Sequence, residues 1–376
     1  MPWYNDLRPT TDEKKVQFGL IFPELLHQPA EKARIIQSLL RLRKGLQTEM
    51  PPKKSDGNLI LGTWNIREFG KYTHRTPESL YYIAEIINQF DLIGLQEVKG
   101  NLADFHKILR LLGSDWDFVI NDVTGGNAGN DERFAYLYDK RKVEFTGFSG
   151  EIVLWEDGRG AGFPLEQLKR TPLITGFKAG WKKFAIVNLH LHPGDDDDDI
   201  ELRQKEVKAL LKVLTDRVKK NKIWTNNLVI LGDLNMYDED DDSTIELFNK
   251  AGFMESKALK GLPTSIGRNP FDRIFYYKRP NFDLNTESSG LSSGVLHFGA
   301  YVYQDAAYET YKPQMLAHKG NPETLVTEDD YRDYFRKWVT YQMSDHFPVW
   351  LEIDIDSSDE FLEGKLKQLE ESIPQT

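Results

Sequence analysis

The chain has 376 residues, and its 59 acids against 48 bases give a net charge of −11, which excludes a protein that coats nucleic acid through its overall field. An enzyme whose bound cations offset local negative charge remains open. The absence of cysteine excludes disulfides, thiolate metal sites and a cysteine nucleophile, while 40% apolar and 12% aromatic residues supply a large core.

Met1 to Lys15 is polar and has no apolar signal region, and no run approaches the roughly 18 apolar residues that cross a bilayer. The expectation is a soluble, cytoplasmic protein. Residues 1–57 read as an N-terminal extension. Within it, Pro29 to Leu46 places Ile35, Ile36, Leu39, Leu40 and Leu42 at helical spacing, with Lys32, Arg34, Arg41, Arg43 and Lys44 between them. This amphipathic basic helix is expected to pack on the main domain, and it is also where a protein partner would bind. Pro51 to Gly57 makes a linker.

Residues 58–356 read as one α/β catalytic domain. Leu59 to Trp64 is a strand with Asn65 at its end. A helix follows, with Thr76 as cap, Pro77 in the first turn and Leu80, Ile83, Ile87 and Phe90 on one face. Asp91 to Gln96 is an apolar strand ending in Glu97, and Ala103 to Leu112 is helical. Further strands are Phe118–Asn121, Phe134–Tyr138, Val143–Gly147, Leu173–Phe177 and Phe184–Leu189, the last running into His190. Two acidic runs, Asp195–Asp199 and Asp238–Asp242, each precede a helical pattern. They read as helix starts favoured by the dipole rather than as metal sites.

Leu228 to Asn235, LVILGDLN, is a buried strand that delivers Asp233 and Asn235 together at its carboxyl end. In open α/β sheets chemistry collects there, although Gly-Asp-x-Asn also makes an ordinary turn. Arg273–Tyr277 and Val349–Ile353 complete the strands. The aromatic stretch between them is too long to be structureless, and Glu328–Trp338 is expected to be helical. Residues 357–376 form a charged tail with weak helical periodicity.

Several strands thus end in polar groups suited to metal or phosphate chemistry: Asn65, Glu97, His190, Asp233 and Asn235. Asp272 precedes one strand, and Ser344, Asp345 and His346 precede the last. Each alone has an ordinary structural explanation as a cap, a turn residue or an ion-pair partner. Together they make a cleft in which carboxylates hold a hard cation, an acid orients water and histidines donate to a negative transition state. Reference imidazole titrates near 6.5, so activity is expected to change between about pH 5.5 and 8.

The segments TWNIR (Thr63 to Arg67), GLQEV (Gly94 to Val98), NDERFAYLY (Asn130 to Tyr138), VNLHL (Val187 to Leu191), LGDLN (Leu231 to Asn235), DRIFY (Asp272 to Tyr276) and SDHFPV (Ser344 to Val349) resemble, in order, the endonuclease/exonuclease/phosphatase superfamily, in its deoxyribonuclease I-like branch. The resemblance implies a four-layer α/β sandwich of two face-to-face mixed sheets flanked by helices. It also implies Mg²⁺- or Mn²⁺-dependent phosphodiester hydrolysis by in-line attack of water, with DNA as substrate. It further implies Asn65, Glu97 and Asp345 in the metal shell and Asp233 as the water-activating acid. Asn235 positions water or phosphate, His190 and His346 flank the scissile phosphate, Asp272 orients His346, and Arg133 and Arg170 contact substrate. The acidic loops leave a rival: a phosphatase or sphingomyelinase-type phosphodiesterase acting on inositol phosphates or lipid headgroups. A non-catalytic binding module is disfavoured, because every one of these positions is intact.

Overall fold

A computed structural model describes residues 2–15, 19–71, 75–123, 131–154, 167–220, 224–225, 227–237, 242–277 and 292–372. Twelve strands among these residues form two six-stranded sheets. The first contains β1 (Asn58–Phe69), β2 (Leu92–Val98), β3 (Trp116–Ile120), β4 (Arg133–Asp139), β11 (Ser293–Val295) and β12 (Val349–Asp354) in the order β11-β12-β1-β2-β4-β3. The second contains β5 (Val143–Glu151), β6 (Leu173–Ala179), β7 (Lys182–His190), β8 (Leu228–Asp233), β9 (Phe253–Glu255) and β10 (Asp272–Tyr277) in the order β5-β6-β7-β8-β10-β9. The runs expected to be strands are therefore strands, most of them a few residues longer.

The two sheets repeat one plan. Each has a single parallel pair, β1 with β2 and β7 with β8, and every other pairing is antiparallel. The parallel pair is the third and fourth strand of each sheet, so β4 occupies the place in one that β10 occupies in the other.

Apolar residues on both faces of the strands explain the layering. Leu61, Leu92, Tyr136, Ile186, Leu231 and Leu351 belong to one buried cluster that joins the two sheets. Outside the second sheet lie α4 (Asp197–Lys219) and α5 (Asp242–Lys250), whose Leu210, Leu214 and Phe248 pack with Val187 and Ile230. Outside the first lie α1 (Pro29–Glu49), α2 (Pro77–Ile87), α3 (Ala103–Leu112), α6 (Tyr308–His318) and α7 (Glu328–Gln342). The order helix, sheet, sheet, helix is the four-layer α/β sandwich.

Helix α1 buries Ile35, Leu39, Leu42 and Leu46 in the same cluster as Leu80 and Ile83 of α2. Each such side chain contributes roughly 1.5 to 3 kcal/mol of burial free energy. Four of its cations are engaged within the molecule: Arg34 with Glu78 at 2.9 Å, Arg43 with Glu85 at 2.6 Å, Lys32 Nζ on the Arg8 carbonyl at 2.9 Å, and Arg41 Nε on the Tyr301 carbonyl at 3.3 Å. The aromatic stretch supplies α6 and α7, where Tyr303, Tyr311, Phe335 and Trp338 pack ring against ring. Thr76 is the N-cap residue of α2, but its hydroxyl bonds Ser79 and Tyr303 rather than a backbone N–H of the first turn. The first acidic run is a helix start, since Asp196 accepts the Asp199 N–H at 2.9 Å and Asp197 to Asp199 fill the first turn of α4. Of the second run, residues 238–241 lie outside the described residues. The charged tail contains α8 (Ser358–Ser372), which buries none of its residues. No helix among the described residues is long and apolar enough to cross a membrane.

Candidate active site

The register of the second sheet builds half of the site. His190 of β7 pairs with Asp233 of β8, and Asp233 pairs with Asp272 of β10, so three polar side chains stand in a row across the strand ends. Gly232 makes this possible. Its φ of +143° suits only glycine, and a Cβ there would lie 1.9 Å from the Leu189 carbonyl oxygen. Asn235 then turns the chain with a left-handed φ of 48°, its N–H donating to Asp233 Oδ1 at 3.0 Å and its Nδ2 to the Leu191 carbonyl at 3.0 Å.

The first sheet supplies the other half. Asn65 near the end of β1 donates through one Nδ2 to Glu97 Oε1 and to Asp233 Oδ2, both at 2.9 Å, and so bridges the two sheets. Glu97 sits on β2 at a left-handed φ of 61°, next to a register shift in its pairing with β4, and its Oε2 accepts the Glu68 N–H at 2.7 Å. Arg67 and Glu68 are also left-handed, so unusual backbone gathers at the cleft rim, as is common where side chains are aimed for function. The segment before β12 is fastened to β1: Ser344 Oγ donates to the Asn65 carbonyl at 2.7 Å, and Trp64 Nε1 to the His346 carbonyl at 3.0 Å.

Both histidines stand between carboxylates. His346 places Nδ1 2.7 Å from Asp272 Oδ2 and Nε2 3.7 Å from Asp233 Oδ2. His190 places Nδ1 3.2 Å from Glu132 Oε1 and Nε2 3.4 Å from Asp233 Oδ2. Burial works against a charged imidazole, yet Asp272 and Asp233 hold His346 well above the ordinary histidine range, and Glu132 and Asp233 raise His190. Burial likewise opposes ionisation of Asp233, but His190 and His346 keep its carboxyl below the usual range. Asp272 is the exception, pushed up to about 6 by burial against the pull of His346.

Glu132 is the residue that the sequence reading missed. It lies just before β4, fully buried, and its Oε1 faces both His190 and the guanidinium of Arg170. Burial would raise it, but His190 and then Arg170 hold it below the usual range. A signal was present: Glu132-Arg133-Phe134 opens β4 as Asp272-Arg273-Ile274 opens β10, an acid, an arginine and an apolar residue at equivalent strands.

Arg170, expected to touch substrate, is instead buried against Glu132 and donates to the Leu191 carbonyl at 3.2 Å. Arg133 is half-buried, donating to the Lys99 carbonyl at 3.1 Å and lying 3.8 Å from Asp122. Asp345 is partly exposed and pairs with Arg67 at 3.1 Å; that arginine also covers the Tyr341 ring at 4.3 Å.

Glu97, Glu132 and His190 bring one ligand atom each within 4.8 Å of one another. A metal-bound imidazole must be neutral, and His190 faces a carboxylate at each nitrogen, so it fits poorly as a ligand. The two carboxylates fit well. Glu132 Oε2 is buried and accepts no hydrogen bond among the described residues, which is costly unless a cation compensates it. Hard oxygen donors of this kind suit Mg²⁺ or Mn²⁺.

Comparisons with known proteins give the family. A model of the Endonuclease/Exonuclease/phosphatase family matches residues 62–282, more than half of the chain. The chain belongs to that family. Deoxyribonuclease-1 of Bos taurus is 27% identical over 188 residues, covering 47% of this chain and 61% of its own length. Deoxyribonuclease gamma of Mus musculus is 28% identical over 187 residues, with 47% and 55% covered. The chain thus spans less than two thirds of the length of these curated relatives. Among solved structures, the human Nocturnin catalytic domain with bound sulfate gives a TM-score of 0.49 at 15% identity, covering 79% of this chain and 93% of that one. D. rerio TDP2 complexed with single strand DNA product gives 0.48 at 15%, covering 79% and 99%.

Proposed function

We propose that this protein is a divalent-metal-dependent phosphodiesterase that cuts DNA endonucleolytically. The observation that carries the reading is Asp233, a carboxylate kept ionised by Asn65 and two histidines, facing the acid pair Glu97 and Glu132 across the cleft. Such a carboxylate accepts a hydrogen bond from water and aims the oxygen lone pair at phosphorus. The carboxylates that raise both histidines hold their protons to higher pH, which suits each to donate a hydrogen bond to phosphoryl or leaving oxygens where negative charge grows. Asp272 fixes the ring of His346, and Glu132 that of His190. Glu97 and Glu132 would hold the Mg²⁺ or Mn²⁺, which when bound supplies positive charge to a phosphoryl oxygen and to the leaving oxygen.

DNA as the substrate is supported by the deoxyribonuclease relatives and by Arg67 and Arg133 around the cleft. The test is incubation of supercoiled plasmid with Mg²⁺ or Mn²⁺, with and without EDTA, beside an Asp233→Ala control. Nicking that EDTA abolishes and the control lacks supports the reading. Release of phosphate from inositol phosphates, or of phosphocholine from sphingomyelin, without nicking would replace it by the phosphatase or sphingomyelinase reading.

A further inference from the structure

The site is split between two sheets. Asn65, Glu97 and Glu132 belong to the first, and His190, Asp233, Asn235 and Asp272 to the second. Sheets packed through apolar side chains make non-directional contacts, which fix spacing better than alignment. Below the site the apolar layer is interrupted by buried polar groups, among them the Tyr136 hydroxyl, which donates to the Leu173 and Ile186 carbonyls, and the fully buried side chains of Thr63 of β1, Gln96 of β2 and Asn188 of β7. Gln96 Nε2 donates to Asn188 Oδ1 at 2.7 Å and to Thr63 Oγ1 at 3.0 Å. Asn188 Nδ2 then reaches the carbonyls of Leu95 on β2 at 3.2 Å and Ala135 on β4 at 3.3 Å. One asparagine of the second sheet is thus bonded to two strands and one side chain of the first. Gly94 leaves room for it, since a Cβ there would stand 3.1 Å from Asn188 Nδ2 and 2.5 Å from Leu231 Cδ1.

The location gives this network its meaning. Gln96 immediately precedes Glu97, and Asn188 lies two residues before His190 on the same face of β7. Directional bonds in a low-dielectric layer permit only one alignment. We propose that Gln96 and Asn188 are positioning residues that lock the Asn65–Glu97 half of the active site to the His190–Asp233 half. This inference rests on the reading of the cleft as a phosphodiesterase site. It adds the device that holds the cleft in register.

The experiment uses Gln96→Met, Asn188→Leu and the two combined. Each single variant leaves a buried partner without its hydrogen bond and lowers the melting temperature. Combining them replaces both partners by apolar groups and regains part of that loss, since Thr63 and the Leu95 and Ala135 carbonyls still lose a partner. With bis(4-nitrophenyl) phosphate and Mn²⁺, the combined variant is expected to keep kcat lower by about a hundredfold, the scale of an ångström's misplacement, with KM little changed. In its crystal structure the Asn65 Nδ2 to Asp233 Oδ2 contact, 2.9 Å in the parent, is expected to be open. A purely structural role would let kcat recover together with stability. A contact still closed overturns the inference whatever the rate. Asn188→Ser, which breaks the same bond without adding bulk, serves if the combined variant does not fold. A parent inactive on every phosphoester would refute the phosphodiesterase reading, while the Asn65–Asp233 contact would still decide this one.

Discussion

His346 Nδ1 lies 2.7 Å from Asp272 Oδ2, which leaves Nε2 as the nitrogen turned toward Asp233 and the cleft. The bond fixes both the tautomer and the ring plane. Asp272→Asn keeps the shape of the acceptor but offers it as an amide, which stabilises the imidazolium less and permits the wrong tautomer. Turnover is expected to fall by about two to four orders of magnitude with little change in KM, as for other buried carboxylate–histidine pairs. Steady-state kinetics on plasmid or on a small phosphodiester would measure it. A fall below about threefold would show that the pair is structural, since positioned acid–base groups typically contribute a hundredfold or more.

Glu132 does the corresponding work for His190 from the opposite sheet, with the added duty of neutralising Arg170. Glu132→Gln leaves that buried guanidinium without its counter-charge. Breaking a buried ion pair from one side costs about 3 to 5 kcal/mol, so the variant is expected to unfold at markedly lower denaturant as well as to lose activity. The activity loss should accompany a drop in the pKa of His190 toward its ordinary value, read by NMR titration. Arg170→Lys is expected to be milder in both respects, because it keeps the charge but not the guanidinium geometry.

How the site could be read from sequence follows from the same two pairs. Apolar runs ending in Asn65, Glu97, His190 and Asp233 are visible because buried strands are continuous in sequence. The partnerships across the sheets are not, since they depend on which strand ends face each other. Glu132 stands among polar neighbours that resemble a loop. The equivalence of β4 with β10, which pairs it with Asp272, exists only once the sheets are assembled. Arg170 reads as a substrate contact for the converse reason, that a charged residue beside a loop gives no sign of being buried. The aromatic stretch is legible as structured and Glu328–Trp338 as helical, but that this helix brings Tyr341 onto Arg67 at the rim is not.

The pH dependence differs from what two ordinary histidines would give. Asp272 is pushed up to about 6, so below that pH it takes a proton and ceases to orient His346. The acid limb of the profile is therefore expected near pH 6 and to belong to a carboxyl. His346 and His190 are both raised, so their loss of a proton, and the basic limb, move above the ordinary histidine range. The predicted optimum is a plateau spanning neutral pH. A profile of kcat against pH in parent and Asp272→Asn tests the assignment: the acid limb should disappear in the variant. Persistence of that limb would assign it to another group.

Gly232 allows a prediction about stability that does not depend on the substrate. At φ +143°, with the Leu189 carbonyl oxygen 1.9 Å from the position of a Cβ, alanine forces β8 away from β7 at the level of His190 and Asp233. Strained backbone alone costs about 1 to 3 kcal/mol, and the displaced pairing adds to it. Gly232→Ala is expected to lower stability by at least that amount in urea melts and to abolish activity even where the protein remains folded. Full activity in the folded variant would mean that the His190–Asp233 register tolerates movement.

Removal of the metal should act through the acid pair rather than through the fold. Glu97 and Glu132 face each other with one buried carboxylate oxygen unsatisfied, so an added divalent cation is expected to stabilise the protein and EDTA to lower its melting temperature. At a hundred times its dissociation constant, a ligand that binds only the folded state adds about 2.7 kcal/mol. Glu97→Gln removes one of the two charges, so the Mn²⁺ concentration needed for half-maximal activity should rise, while the melting temperature without metal falls modestly, because the amide NH2 must face either Asn65 Nδ2 or the Glu68 N–H where a carboxylate oxygen accepted. Asp345→Asn offers the contrast, because Asp345 pairs with Arg67 at the rim and is not one of the clustered ligand groups. A larger shift in Mn²⁺ requirement from Asp345→Asn than from Glu97→Gln would move the cation toward Asp345 and away from Glu132.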